Sequence, residues 1–351
     1  MRIALVGAGN VAARYAAAIS AAEGHELAGL TDAIPGRAEE IAAAHGGVAY
    51  GSLDALLADD AVDTVVNLTV PQAHVKVTAA ALDAGKHVHS EKPLALRHAD
   101  AQELVELARR RDVRLSSAPA TLLGEAQQTA WKLVRDGAIG RVRAVYAEAN
   151  WDRLERWHPD PRSLYAVGPL VDVGVYPLAI VTAMFGPVRR VDAYATTLEA
   201  ERTLRDGTPF TPAAPDFVVA VLEHAGGVVT RLTASFYVGP CRQRGIELHG
   251  DTGSQHLPTW AEADSRLFLQ ERGGEYERRP LLREPFPGID WGRALVDLTE
   301  AIDEGRPHRA SAEHAAHGVE VLEAVEIAAA GGGRVAVDSG FPPSEPLDWA
   351  R

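Results

Sequence analysis

A single cysteine, Cys241, in 351 residues leaves nothing for a disulfide to join. The fold must be held by buried apolar surface, and a reducing compartment, the cytoplasm, is the expected location. The lone thiol is assigned no role. Positive charge is also scarce: 35 Lys and Arg stand against 48 Asp and Glu, a formal charge of −13. That balance repels phosphate backbones, and no dense basic stripe offsets it, so nucleic acid is not an expected partner. No stretch reaches the ~18 uninterrupted apolar residues of a spanning helix, and the opening MRIALVGAGN meets a glycine too early for a signal peptide, so no membrane partner is expected. There is no repeat of fixed period. No set of His, Cys and Asp stands at zinc-like spacing, so no metal is expected.

What is present is the composition of a soluble globular protein, 46% hydrophobic and 24% charged. The length suggests two domains at roughly 100–200 residues each. In the first part short β-favouring runs alternate with helical ones. RIALV, HELAGLTD, DTVVNLTV, HVHS and VRLSS read as strands. Between them, helices are expected over 10–22, in PGRAEEIAAAHG, from Gln72 to about Ala84, and from about Leu96 to Arg111. That rhythm implies right-handed βαβ units and a parallel, doubly wound sheet. From about residue 187 to 270 strands dominate, separated by glycine turns, and two helices near 291–304 and 311–330 precede a proline-rich tail. The fold class is therefore α/β, a Rossmann-type domain over 1–121 followed by an α+β domain over 122–351 with a large, mostly antiparallel open sheet.

Three stretches carry residue types suited to chemistry. In VGAGNVAARY, Gly7, Gly9 and Ala12 follow the first strand and open a helix. Gly7 allows the tight turn, Gly9 admits a pyrophosphate to the backbone, and Ala12 keeps helix and strand close. Asn10 and Val11 stand at the helix N-terminus, where free N–H groups and the dipole favour phosphate. Asp32, at the end of the second strand, suits the ribose hydroxyls and repels a 2′-phosphate, favouring NAD over NADP. Arg37 either accommodates a phosphate or is a solvated residue of the next helix. In GKHVHSEKPLAL, Glu91, Lys92 and Pro93 follow a strand at the carboxyl edge of the sheet, where ligands bind. Lys92 and Glu91 form either a plain ion pair or a rigidly held ammonium beside nicotinamide. In GPLVDVGVY, Asp172 and Tyr176 fall one turn apart if the run is helical. They either act on a substrate or satisfy a buried core.

These stretches together resemble the Gfo/Idh/MocA family of oxidoreductases. The likeness extends to VDTVVNLTVPQAHV with Asn67, Thr69, Pro71 and His74, to LVRDGAIGRV, and to GPLVDVGVYPLAIVTAMFGPVRRV, nearly end to end. It implies that Asn67, Thr69, Pro71, His74, Glu91, Lys92 and Pro93 line the cofactor, and that Lys92, Asp172 and Tyr176 flank the substrate carbon next to nicotinamide. Many relatives carry histidine where this chain has Tyr176. The resemblance also implies a homodimer or homotetramer formed through the second domain's sheet. Trp151 and His158, in WDRLERWHPDP with Asp160, are candidates for framing a polyol pocket. Asp290 is expected to cap a helix, and His314 and His317 to cap or pack. The expected activity is NAD-dependent hydride transfer to or from a secondary alcohol of a sugar, cyclitol or related polyol. Two alternatives are an NAD-recycling glycosidase or lyase of the same family without net redox change, and a non-catalytic NAD-binding regulatory protein.

Overall fold

The computed structural model describes residues 1–331 and 333–351. The chain divides into two units, Met1–Ala120 with Trp291–Val319, and Thr121–Asp290 with Glu320–Arg351. This corrects the single boundary at 121/122. Leu295 packs with Ile3, Leu5 and Ile19, while Ala312, Ala316 and Val319 pack with Val88, Leu104 and Val105. His25 Nε2 also lies 2.5 Å from Thr299 Oγ1. An apolar period says that a helix buries one face, but not which sheet receives it.

In the first unit six strands form one sheet: β1 (Arg2–Val6), β2 (Glu26–Thr31), β3 (Val48–Ala49), β4 (Thr64–Asn67), β5 (His87–Ser90) and β6 (Leu115–Ser117). Their order is β3-β2-β1-β4-β5-β6, and every pairing is parallel. Parallel neighbours need crossovers, supplied by α1 (Ala12–Ala21), α2 (Arg37–His45), α3 (Leu53–Leu57), α4 (His74–Asp83) and α5 (His98–Arg111). β1 is apolar throughout its buried length because both its faces are covered. Ile3 and Leu5 pack with Ala12, Tyr15 and Ile19 of α1, while Ala4 and Val6 pack with Val77, Ala81 and Leu82 of α4. The order reverses between β1 and β4, which puts a ligand crevice at the carboxyl ends of those strands.

The second unit contains α6 (Glu125–Arg135), β7 (Val142–Asn150), α7 (Arg162–Pro169), α8 (Val175–Phe185) and β8 (Val188–Thr196). A two-stranded ribbon, β9 (Arg202–Thr203) and β10 (Pro209–Phe210), precedes β11 (Phe217–His224), β12 (Val229–Ser235), β13 (Gly245–Gly250), β14 (Gly253–Leu257), β15 (Leu267–Glu271), β16 (Glu277–Arg279) and β17 (Val335–Ala336). The nine-stranded sheet runs β16-β15-β14-β13-β7-β12-β11-β8-β17, and only β7 with β12 is parallel. By length and composition Arg162–Phe185 is apolar enough to cross a membrane, although charged residues interrupt it, yet 72% of its apolar window is buried within the protein. Leu170, Val173, Leu178 and Val181 share one core with Val145, Ala220 and Leu232 of the sheet, so this is a core helix. Gly168 breaks it, with φ +78 and room for a Cβ only at 3.0 Å from Ala214 Cβ.

Candidate active site

The β1–α1 turn needs two glycines for different reasons. Gly7 has φ +104, and a Cβ there would fall 2.7 Å from Leu68 O. Its N–H donates to Thr31 O at 2.8 Å, tying the turn to β2. At Gly9 a Cβ would meet nothing within 4 Å, so the missing side chain leaves the backbone open to a ligand. The amides of Gly9, Asn10 and Val11 have no acceptor among the described residues, and α1 has no side-chain cap. Those donors at a helix N-terminus suit a pyrophosphate. Asp32 is fixed by two amides, Ala8 N donating to Oδ2 at 2.6 Å and Ile34 N to Oδ1 at 2.7 Å. Each oxygen keeps a lone pair for a ribose hydroxyl. Arg37 stands exposed at the start of α2, its backbone N–H donating to Ile34 O at 3.4 Å and its side chain with no hydrogen bond or ion pair among the described residues.

The loop after β4 is organised by Asn67, which is fully buried. Its Nδ2 donates to His74 O at 3.1 Å and Thr78 Oγ1 at 3.0 Å, and its Oδ1 accepts from Thr69 N at 3.2 Å and Thr69 Oγ1 at 2.7 Å. Both amide hydrogens and both carbonyl lone pairs are engaged. Asn67 therefore shapes the loop after β4. Thr69 and Pro71 are half-exposed on that loop. His74, also buried, joins it to the loop after β5: Nδ1 lies 2.6 Å from Pro93 O and Nε2 3.0 Å from Thr69 O. Its contacts too lie within the protein. Glu91 is buried, with Tyr15 OH donating to Oε1 at 2.8 Å and Lys92 N to Oε2 at 3.1 Å. Lys92 is half-buried and Pro93 buried, with a cis peptide between them.

In the second unit Asp172 and Tyr176 do not sit on a plain α-helix. Leu170–Gly174 is a π turn that runs into α8, so the pair straddles a change of pitch and one-above-the-other stacking does not hold as expected. From Gly168 to Leu178 every residue is buried except these two, which are half-exposed. The Tyr176 ring stacks on Trp260, centroids 4.9 Å apart and planes at 28°. Trp260 faces Trp151 at 5.8 Å, and its indole N–H donates to Glu148 O at 3.0 Å. Trp260 is buried and Trp151 is 41% exposed, so three rings form a wall that opens at Trp151. Trp260 went unread in the sequence because it follows β14, a short strand with no strong apolar alternation. The ring of His158 packs on Trp157 at 5.5 Å and its Nδ1 accepts from Asp160 N at 3.1 Å, contacts within its own loop. Asp160 pairs with Arg162, which holds its carboxyl down to about 2.

The other candidates resolve locally. The helix Arg293–Glu304 has Gly292 at its N-cap, two residues after Asp290. Ser311 Oγ caps the last long helix, accepting from His314 N at 3.3 Å, and His317 is fully buried. Among the described residues no group of His, Cys, Asp and Glu is placed to hold a metal.

Two family profiles match the chain. The profile of the Gfo/Idh/MocA oxidoreductase family, NAD-binding Rossmann fold, covers residues 1–118, and that of the Gfo/Idh/MocA C-terminal domain covers 127–256. The chain belongs to the Gfo/Idh/MocA family. The first unit of this Gfo/Idh/MocA protein is an NAD-binding Rossmann domain. It is 35% identical over 193 residues to dTDP-3,4-didehydro-2,6-dideoxy-alpha-D-glucose 3-reductase of Streptomyces violaceoruber, a match covering 54% of this chain and 56% of that one. The chain thus spans little more than half the length of that relative. Trans-1,2-dihydrobenzene-1,2-diol dehydrogenase of Bos taurus is 27% identical over 270 residues, 76% of this chain and 75% of that one. In fold, the Gfo/Idh/MocA chain matches levoglucosan dehydrogenase in complex with NADH and L-sorbose with a TM-score of 0.84 at 21% identity, over 97% of this chain and 99% of that one.

Proposed function

We propose that the protein is an NAD-dependent dehydrogenase or reductase acting on a secondary alcohol or ketone of a cyclic sugar, cyclitol or related diol. The observation that carries this reading is the π turn of the second unit: within 168–178 only Asp172 and Tyr176 reach solvent, and the phenol ring stacks on Trp260, which in turn faces Trp151. Aromatic faces suit the C–H surfaces of a sugar ring, and a carboxylate suits its hydroxyls. The reductase and dehydrogenase that the chain resembles act, by their names, on a deoxysugar and a cyclic diol.

The residues of the first unit fit the cofactor: the free amides at Gly9, Asn10 and Val11 for the pyrophosphate, Asp32 for the ribose hydroxyls, and the loops bearing Thr69, Pro71 and Lys92 for the nicotinamide half. NAD, when bound, supplies the hydride acceptor or donor. The protein's own part is to move a proton and to hold the substrate. In our reading Tyr176 Oη exchanges the proton of the substrate hydroxyl, Lys92 Nζ favours the phenolate and positions the oxygen, and Asp172 orients the ring. A phenol of ordinary pKa ~10 is a poor base at neutral pH without such a cation. General acid–base help of this kind contributes typically about 10² to 10⁴ in rate. Asp32, a fixed anion, favours NAD over NADP.

The test is to follow NADH absorbance with a panel of pyranoses, inositols, uronates and cyclic diols, offering NAD and NADP in parallel. Substrate-dependent NADH formation with NAD preferred is the expected result. Product formed without net NADH, or no turnover while NAD binds, would overturn the reading in favour of a cofactor-recycling or a non-catalytic protein.

A further inference from the structure

Beneath the loop that carries Glu91 and Lys92 runs a line of buried polar groups. Ser116 on β6, His89 on β5 and Tyr15 on α1 are all essentially inaccessible, and Glu91 is nearly so. Ser116 Oγ lies 3.1 Å from His89 Nδ1, His89 Nε2 lies 3.4 Å from Tyr15 OH, and Tyr15 OH donates to Glu91 Oε1 at 2.8 Å. Glu91 Oε2 in turn accepts from Lys92 N.

The direction of every bond follows from counting protons. A carboxylate only accepts, so the single phenol hydrogen points at Glu91. Towards His89 the phenol oxygen must then accept, which requires the proton on Nε2. Burial pushes His89 down to about 3, so the ring is neutral and has one donor only. Nδ1 therefore accepts from the Ser116 hydroxyl. The result is a one-way chain, Ser116 to His89 to Tyr15 to Glu91, with its last acceptor fixed against the Lys92 backbone. Such chains polarise each link and hold their end group in a single orientation.

We propose that Tyr15 is a positioning residue for the reaction: its hydroxyl holds the Glu91 carboxylate, and through it the backbone of Lys92, in one place relative to the helix that receives the pyrophosphate. This rests on the reading that Lys92 serves the chemistry. The Tyr15 ring is packed in the core with Leu5 and Ile19, 6.4 Å from Trp291, so removing only its hydroxyl leaves the packing intact. A group used solely to stabilise the fold would leave Lys92 where it is; a positioning residue must move it.

The experiment uses the full chain with Tyr15→Phe, Ser116→Ala and Lys92→Met. The sequence has four lysines, so selective [15N]lysine labelling gives four backbone amide signals, and Lys92→Met identifies the one of interest. In Tyr15→Phe the Lys92 amide signal shifts while the other three stay put; Ser116→Ala, further along the chain, produces a smaller shift of the same sign. With a responsive alcohol, kcat falls about tenfold in Tyr15→Phe, while KM for the alcohol and the Kd for NAD change less than about threefold. An unmoved Lys92 signal, or a moved signal with unchanged kcat, overturns the proposal. Full turnover by Lys92→Met sinks the catalytic reading instead, and the amide signals still report separately on whether the chain holds the loop.

Discussion

Asp32 is held by two backbone amides that leave it nowhere to go, so its charge faces whatever occupies the end of β2. Hydrogen bonds to a charged group contribute about 1.5–3 kcal/mol. Asp32→Ser should therefore lower kcat/KM for NAD at least about tenfold and narrow the preference over NADP, since the repulsion of a 2′-phosphate goes with the carboxylate. An unchanged ratio between the two cofactors, measured as kcat/KM for each, would show that Asp32 does not face the ribose. At this scale the turn glycines Gly7 and Gly9 and the fixed Asp32 at the end of β2 were legible from spacing around a strand end, whereas Lys92, Asp172 and Tyr176 were singled out chiefly by the family resemblance. Tyr15 and Trp260 were not legible, because what marks them is contact across long stretches of chain: Tyr15 with Glu91, and Trp260 with Tyr176 and Trp151. The four hydrogen bonds that Asn67 makes within its own loop were unreadable for a related reason. Residue type announces hydrogen-bonding capacity, but only the structure shows that neighbours already take it up.

The elements of the first unit follow the sequence closely, since βαβ crossovers force strands and helices to alternate. The short β3, α3 and β14 were passed over because two to five residues carry little periodicity. The π turn was missed because an apolar run looks the same at any helical pitch. Inside the second unit the ribbon strand β9 carries an ion cluster built on the fully buried pair Arg202 and Asp216. Arg202 Nη2 donates to Asp216 Oδ2 at 2.6 Å, and Nη1 donates to Glu155 at 2.8 Å and to Tyr165 OH at 2.7 Å. Asp216 also accepts from Leu198 N at 2.7 Å, so the cluster ties the ribbon to the start of β11. Removing one partner leaves a buried charge uncompensated, at a cost of about 3–5 kcal/mol. Arg202→Ala should lower stability by that order in denaturant unfolding; a loss of well under 1 kcal/mol would mean that water compensates Asp216.

Across the whole molecule burial lowers several histidines, His87, His224 and His308 among them, and His89 and His314 of the first unit contribute most to the response to acid. Burial lowers His89 from 6.5 to about 3 and His314 from 6.5 to about 4. Below the unfolded-state value the unfolded chain takes up protons that the folded chain refuses, so stability is complete above pH 6.5 and falls as pH drops towards the folded values. At pH 5 each group contributes about 2 kcal/mol of destabilisation, before most carboxylates protonate. Thermal unfolding followed from pH 7.5 to 5 should show a clear loss of Tm that is reduced in His89→Gln; a flat profile would mean that these rings are accessible. The division into units shows where reading from sequence reaches its limit. Strand and helix order was readable, but the return of Trp291–Val319 to the first unit depends on which core receives Leu295 and Val319.

The central claim is that Lys92 and Tyr176 work as one proton-transfer pair on an alcohol oxidised by NAD. Groups that act as a unit lose their effect together, so their deletions do not multiply. The most direct measurement is kcat on one responsive alcohol for Lys92→Met, Tyr176→Phe and the double variant, with the NAD Kd determined for each. Each single change should cut kcat at least about tenfold, the double variant should be no worse than the poorer single one within about threefold, and NAD affinity should hold throughout. Wild-type turnover in either single variant, or losses that multiply in the double, would overturn the claim.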